Sequence, residues 1–477
     1  MNDVIIVGGG IAGLATAYEL HRRSVPFVLF ESGSRAGGVI LSEQVDGYTI
    51  DAGPDSLLVQ KPDGIRLCEE LGLGDRLVPT TPPRLAYIQR GGTLYPLPAS
   101  SVLGIPTRFG PFLRTRLFSW AGKLRMGAEV LVPPRRDGDD ESIGAFMTRR
   151  FGTEATTYLA EPLLAGIHAG EVHRLSIRAL FPRFSEAERT SGSLIRAFRH
   201  QPRGLGSADG AFRSLPGGLS EMVRALVATL PARSIRLDTG VGRVRIGSTT
   251  STTVAARPVT GGSGFHVDTM TGESLTARAV VLATPAYVTA RIIRDADAEL
   301  ARLCEDIPYS STATIAFAFR REAVTHPLNG SGFVVPRVEG SGILAGSWLS
   351  SKWPHRAPGD RVLLRVFAGG TRDPEAIERS EEALGALALN ALRPLLGITG
   401  PPLLTRVYRW ERANAQHEVG HLTRVAAIER TIGGHPGLFV TGSGFRGVGI
   451  PDCIADGRAT ARQLAEWLAK VPVAALP

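Results

Sequence analysis

Gly8, Gly10 and Gly13 stand in the order G-x-G-x-x-G, directly after Val4-Ile5-Ile6-Val7. Glu31 closes the next apolar run, Val25-Pro26-Phe27-Val28-Leu29-Phe30. The chemistry open to this set is the holding of a dinucleotide. The first glycine permits a tight turn, the second lets backbone approach a pyrophosphate, and the third lets helix and strand pack closely. A helix N-terminus then offers its amide N–H groups to the phosphates, through Gly8, Gly9, Gly10, Ile11, Ala12 and Gly13. Glu31 is placed to accept from ribose hydroxyls, and a glycine turn that merely packs leaves it unexplained.

A second candidate lies near the other end, Gly447-Val448-Gly449-Ile450-Pro451-Asp452-Cys453-Ile454. Proline suits a first helical turn. The preceding loop therefore faces the positive end of a helix, which favours an anion by ~0.3–1 kcal/mol when exposed and more when buried. Gly447 and Gly449 permit close backbone approach to a flat ligand. Asp452 favours the helix start, and Cys453 reads as packing. His168, His417 and His421 invite acid–base roles, but a histidine inside an apolar motif is more often structural. His168 is the pocket candidate of the three. Cys68, Cys304 and Cys453 show no C-x-x-C or zinc spacing, so no metal site is expected and a reducing compartment is.

The elements that must position these groups are partly legible. Strand, glycine turn, helix and strand open the chain. Residues 63 to 77 read as a helix, 87 to 98 as a hairpin turning at Gly91-Gly92, and about 105 to 200 as largely helical. A helix is expected over 219–230, strands near 234–237 and 241–246, and a mobile hairpin tip over 247–264. Ala279-Val280-Val281-Leu282 reads as a buried parallel strand. A helix is expected over about 374–395, and a strand at Gly437-Leu438-Phe439-Val440. The pattern predicts an α/β protein with a discontinuous Rossmann-like dinucleotide domain (1–80, 213–300 and 406–477). A mixed-sheet substrate domain (81–104 and 301–405) and an inserted helical domain (105–212) complete it.

Composition narrows the classes. The chain has 477 residues and a formal charge of +9, and only Lys61, Lys123, Lys352 and Lys470 among its 54 basic residues are lysine. Arginine suits carboxylates and phosphates. No nucleic-acid motif accompanies the charge, so an acidic substrate or an anionic membrane is the expected partner. No apolar run reaches the ~18 residues of a membrane span, and the first strand leaves no room for a leader, so a cytoplasmic protein is expected. In 108–120 arginines alternate with large apolar groups, as in segments that rest on the inner face of a membrane.

With Arg35-Ala36-Gly37-Gly38 and Ala283-Thr284-Pro285-Ala286 added, the chain resembles the FAD-containing amine-oxidase superfamily. Within it the chain is similar to the oxygen-dependent protoporphyrinogen and coproporphyrinogen III oxidases. The narrowing marks are Gly53-Pro54-Asp55-Ser56, the stretch from Glu161 to Gly170, Leu175-Ser176-Ile177-Arg178, Arg409-Trp410, Gly420-His421-Leu422 and the Gly447 to Ile454 motif. Ala415-Gln416-His417, His168 and Val102 depart from the pattern of other members. The resemblance implies FAD, with Glu31 and Ser32 at the adenosine ribose and Val244 at the adenine. It places Val39, Gly53, Pro54, Asp55 and Ser56 along the pyrophosphate and isoalloxazine, Trp410 beside the flavin, and Val448, Gly449 and Ile450 under the ring. It implies six-electron oxidation of a porphyrinogen in haem biosynthesis, with oxygen as acceptor and hydrogen peroxide formed. The flavin carries the hard step, and no catalytic acid or base is expected. The competing readings are an amine oxidase or carotenoid-type desaturase of the same superfamily, and a non-catalytic escort protein on this fold. The pattern does not fix the porphyrinogen, the arginines that pair its propionates, or the oligomeric state, with which a homodimer is compatible.

Overall fold

In a computed structural model of the chain, the structure describes residues 2–98, 101–102, 105–106, 109–135, 137–199, 210–247 and 264–471. The first apolar run forms the strand Asn2–Val7, in which Val4, Ile5 and Ile6 are fully buried, as a strand covered on both faces requires. It pairs in parallel with Phe27–Phe30 on one side and Ser274–Leu282 on the other. Ile235–Arg236 extends the sheet beyond Phe27–Phe30, and Leu438–Val440 pairs with the far half of Ser274–Leu282, both in parallel. An antiparallel meander through Val241–Ile246 and Phe265–Thr269 completes seven strands. Segments from both ends and the middle of the chain thus share one sheet. The helix Ile450–Lys470 lies against the helix Ile11–Arg22, and a Cβ at Gly457 would sit 2.3 Å from the Ala12 carbonyl oxygen. The two helices meet this closely because Gly457 has no side chain.

The second sheet runs in the order Leu404–Ala415, Tyr309–Arg320, Arg361–Gly369, Ile343–Ser347, Gly332–Val334, Ala86–Arg90 and Thr93–Pro96. All its pairs are antiparallel except Gly332–Val334 with Ala86–Arg90. The expected hairpin turns at Gly91 and Gly92, whose φ of +57° and +72° suit a two-residue hairpin turn. The boundary drawn at 405/406 falls inside Leu404–Ala415, which belongs whole to this sheet. The helix expected from 374 starts at Glu381, because Arg379 is extended and Ser380 caps the Ala383 N–H. The helix expected over 63–77 stops at Glu70, ahead of the left-handed Gly72. The tip at 248–263 lies outside the described residues.

Residues 109–135 and 137–199 form mostly short helices with their own core, including Phe112, Phe146, Phe151 and Phe184, packed against Ile88 and Val334 of the second sheet. Arg150, fully buried, bonds Glu129 and Glu188 there. One element is unusual: Thr156–Ala165 is π-helical and contains Pro162. Such turns are rare and cluster at functional sites. No helix among the described residues is long and apolar enough to cross a membrane. The architecture is α/β, with a Rossmann-like sheet, a mixed second sheet and a helical insertion.

Candidate cofactor and active site

The three glycines do three different things. Gly8 has φ +108°, and a Cβ there would lie 2.7 Å from the Ala283 carbonyl oxygen, so it makes the turn. A Cβ on Gly13 would lie 2.0 Å from the Gly8 carbonyl oxygen, so it sets the contact between helix and strand. Gly10 has an ordinary φ of −68°, and a Cβ there would meet nothing within 4 Å. Its missing side chain leaves room for something other than protein. Gly10 also gives no side-chain cap to the helix, so the first-turn amides of Ile11 and Ala12 stay open to an anion. An anionic group such as a phosphate could occupy this opening.

Glu31 is held beside it. Its carboxylate accepts from the Gly9 N–H at 2.7 Å and the Gly33 N–H at 2.8 Å, which leaves lone pairs for ribose hydroxyls. Ser32 is exposed next to it. The Val244 side chain is fully buried in the core, so only its backbone, on the edge strand of the sheet, can reach a ligand. Val39 is 41% exposed, and its carbonyl oxygen sits where a Cβ on Gly53 would be.

Gly53 to Ser56 follow the strand Tyr48–Asp51. Trp410 donates its indole N–H to the Ala52 carbonyl at 3.1 Å and packs its ring against Gly53. The Asp55 side chain turns into the protein. Lys352 bonds both its oxygens at 3.0 and 2.8 Å, Trp353 donates to it at 3.2 Å, and the Arg365 guanidinium lies 3.3 Å away. Against the cost of burial, the Lys352 and Arg365 charges hold the Asp55 carboxyl far below the ordinary carboxylate range. Asp55 therefore fixes this segment from behind.

The helix Ile450–Lys470 is capped by no side chain, with Gly449 at the N-cap. The glycines of the loop before it also meet a constraint within the protein. Cβ atoms on Gly447 and Gly449 would both lie 2.7 Å from Asp452 side-chain atoms. The glycines thus make room for Asp452, which folds back over the loop and pairs with Lys61 at 2.6 Å. Val448 and Gly449 are partly exposed, and Ile450 is buried.

His417 and His421 are tied into the fold. His417 and His421 stack with ring centroids 3.7 Å apart. Each Nε2 donates to a carbonyl of the loop, Ser443 and Phe445 respectively, at 2.9 Å. Burial and the neighbouring His421 hold His417 down to about 3, and burial lowers His421 too, so both rings stay neutral. His168 is partly exposed at the end of the π-helical segment, and burial, with Lys61, holds it down to about 4. Sequence reasoning missed its neighbour Ile167, a large apolar side chain that is 64% exposed. It also missed Glu161, whose carboxylate accepts from the Arg337 N–H at 2.8 Å and Arg372 at 2.5 Å and so ties the π-helical turn to the second sheet.

Residues 11–465 match the family of flavin-containing amine oxidoreductases. The coproporphyrinogen III oxidase of Bacillus subtilis is 33% identical, over 98% of both chains. That of Staphylococcus aureus is 31% identical, over 97% of this chain and 98% of its own. The chloroplastic protoporphyrinogen oxidase of Nicotiana tabacum is 28% identical, over 98% and 86%. The crystal structure of the Exiguobacterium protein named "Putative protoporphyrinogen oxidase" superposes with a TM-score of 0.83 and 31% identity, over 97% of this chain and 98% of that one. Putrescine oxidase superposes at 0.68 with 16% identity, over 98% and 99%, a likeness of fold.

Proposed function

Because this chain belongs to the flavin-containing amine oxidoreductase family, we propose that it binds FAD and oxidises a porphyrinogen, coproporphyrinogen III in the first place, to the porphyrin. The observation that carries the reading is the likeness to coproporphyrinogen III oxidases along the whole chain. The open cradle at Gly10 supports the dinucleotide form of the flavin. Six hydrogens leave the substrate in three two-electron rounds, and each round passes its electrons to one oxygen molecule to give one hydrogen peroxide. The bound flavin supplies the hydride acceptance and the reaction with oxygen.

The chain's own residues bind, orient and exclude water. Gly8 to Gly13 hold the pyrophosphate, and Glu31, with Ser32, holds the ribose. The Val244 backbone faces the adenine. Val39 and Gly53 to Ser56, braced by Trp410, and Val448 to Ile450 would contact the isoalloxazine ring. The exposed Ile167 and the neutral His168 beside it would offer an apolar contact to a hydrophobic macrocycle. The neutral, carbonyl-bonded His417 and His421 are poor general bases, so no side-chain acid or base is assigned. Exposed Leu113, Trp120 and Leu124, with Arg114 and Arg116 beside them, form a surface suited to an anionic bilayer. Arg108 lies outside the described residues. The deciding test is anaerobic addition of each porphyrinogen to the yellow protein, followed at ~450 nm, where an oxidised flavin absorbs. Bleaching by coproporphyrinogen III, then porphyrin fluorescence and peroxide on admitting air, is the expected result. A yellow protein that neither porphyrinogen bleaches would overturn the assignment.

A further inference from the structure

Behind Gly53 to Ser56 lies a buried set of charges that holding a loop does not by itself require. Asp51 and Asp55 share it with Lys352, Arg356 and Arg365. Side-chain exposure is zero for Asp51 and Arg356, 3% for Arg365, 7% for Asp55 and 13% for Lys352. Arg356 lies 2.8 Å from Asp51, whose other oxygen accepts from Ser42 at 2.6 Å and from the Leu219 N–H at 3.1 Å. Arg365 donates to the carbonyls of Asp51 and Gly53. Three cations thus face two carboxylates, and the set carries at least one uncompensated positive charge. A fully paired set would be the cheaper way to brace a loop, since an unpaired buried charge costs several kcal/mol.

The placement gives the excess a use. The carbonyls of Asp51 and Gly53 accept from Arg365 and that of Ala52 from Trp410, so their negative ends are taken up by these donors. The segment therefore presents its positive backing to whatever lies on its other side. Hydride transfer to a bound flavin brings two electrons and one proton, so the ring gains one net negative charge. In a low-dielectric interior a fixed charge acts across several ångströms, unscreened by salt.

We propose that the Asp51–Asp55–Lys352–Arg356–Arg365 cluster is an electrostatic positioning device that stabilises the reduced flavin and so sets its reduction potential. The inference rests on the reading that places the ring against Gly53 to Ser56. Its signature is a pair of opposite effects. Lys352→Met removes one positive charge and keeps the aliphatic stem. Asp55→Asn removes one negative charge and keeps the shape. Damage to packing would push both variants the same way, whereas charge must push them apart.

The experiment uses the holoprotein, equilibrated anaerobically against a dye of known potential. The ratio of reduced to oxidised flavin is read at a fixed dye ratio. Lys352→Met should lower it about tenfold, and Asp55→Asn should raise it about tenfold, as one charge some 10 Å away implies at an intermediate dielectric. Shifts of the same sign, or both within twofold of wild type, would overturn the proposal. If Lys352→Met fails to fold, the sign for Asp55→Asn decides alone. Wild-type protein that carries no flavin would overturn the flavin reading itself, an outcome distinct from unmoved potentials.

Discussion

The glycine turn permits a prediction in which one substitution, made at two places three residues apart, has opposite consequences. At Gly13 an added methyl would lie 2.0 Å from the Gly8 carbonyl oxygen, a backbone atom that cannot step aside. Relief requires moving the helix Ile11–Arg22 off the strand Asn2–Val7, where Leu14, Ala15 and Leu20 are fully buried. Overpacking of this kind costs about 1–3 kcal/mol or more. Gly13→Ala should therefore lower the melting temperature of flavin-free protein. At Gly10 the same methyl meets nothing within 4 Å, and φ of −68° suits alanine. Gly10→Ala should leave flavin-free stability within about 0.5 kcal/mol, the usual range for a site without strain or burial. Its cost should fall on the cofactor, because the methyl occupies the space a pyrophosphate needs. Each charge-assisted hydrogen bond lost is worth about 1.5–3 kcal/mol, or roughly 10- to 150-fold in affinity. The assay is thermal unfolding of both apoproteins, paired with fluorescence titration of FAD. FAD binding to Gly10→Ala with wild-type affinity would refute the cradle.

Glu31→Gln loses the charge and can keep only one of the two backbone contacts, because Gly9 and Gly33 donate to different carboxylate oxygens, and it should weaken FAD about tenfold or more in the same titration. His417 makes stability depend on pH. Its folded value of about 3 lies below the ordinary 6.5 of the unfolded chain, so its contribution is complete above pH 6.5 and is lost as pH falls through that value toward 3. At pH 5 the loss is about 2 kcal/mol, and His417→Gln should flatten the stability profile between pH 7 and 5; an unchanged slope in urea titrations would contradict this. Replacing both Trp120 and Leu124, which are 67% and 73% exposed, by serine should reduce binding to anionic vesicles at least tenfold without lowering the melting temperature. Equal binding of the double variant in a flotation assay would remove this face from the membrane contact.

The Rossmann-like half was legible because its signals are local. The run Val4 to Val7, the glycine spacing and Glu31 lie within one short stretch, and each dictates backbone behaviour that no distant contact can reverse. The hairpin at Gly91-Gly92 was legible for the same reason. Boundaries failed where a cap outweighed periodicity, as at Ser380, or where a left-handed glycine ended a helix early, as at Gly72. The π-helical turn carries no periodic signature and was invisible. Its geometry is set by Glu161 reaching Arg337 and Arg372, far away in sequence.

The Asp55 site shows how residue type and residue role part company. The family resemblance places Asp55 of Gly53-Pro54-Asp55-Ser56 along the cofactor. The structure turns it inward because Lys352, Trp353 and Arg365 converge on it from a strand and a helical turn some three hundred residues on. No spacing rule links those positions to residue 55. One compositional trace exists. In a chain whose 54 basic residues are otherwise arginine, only four are lysine, and two of these, Lys61 and Lys352, bind aspartates at the loops assigned to the flavin. A lysine presents a compact charge on a slender stem, which suits a narrow buried space better than the wide planar guanidinium. Rare lysines in an arginine-rich flavoprotein are therefore a place to look for charges that act on the ring. On the charge argument Lys352→Arg should hold the flavin potential within about twofold of wild type in the dye equilibration, where Lys352→Met lowers the reduced fraction about tenfold. A Lys352→Arg variant that shifts the potential as far as Lys352→Met would show that the fit of this side chain, and not its charge, is what the site requires.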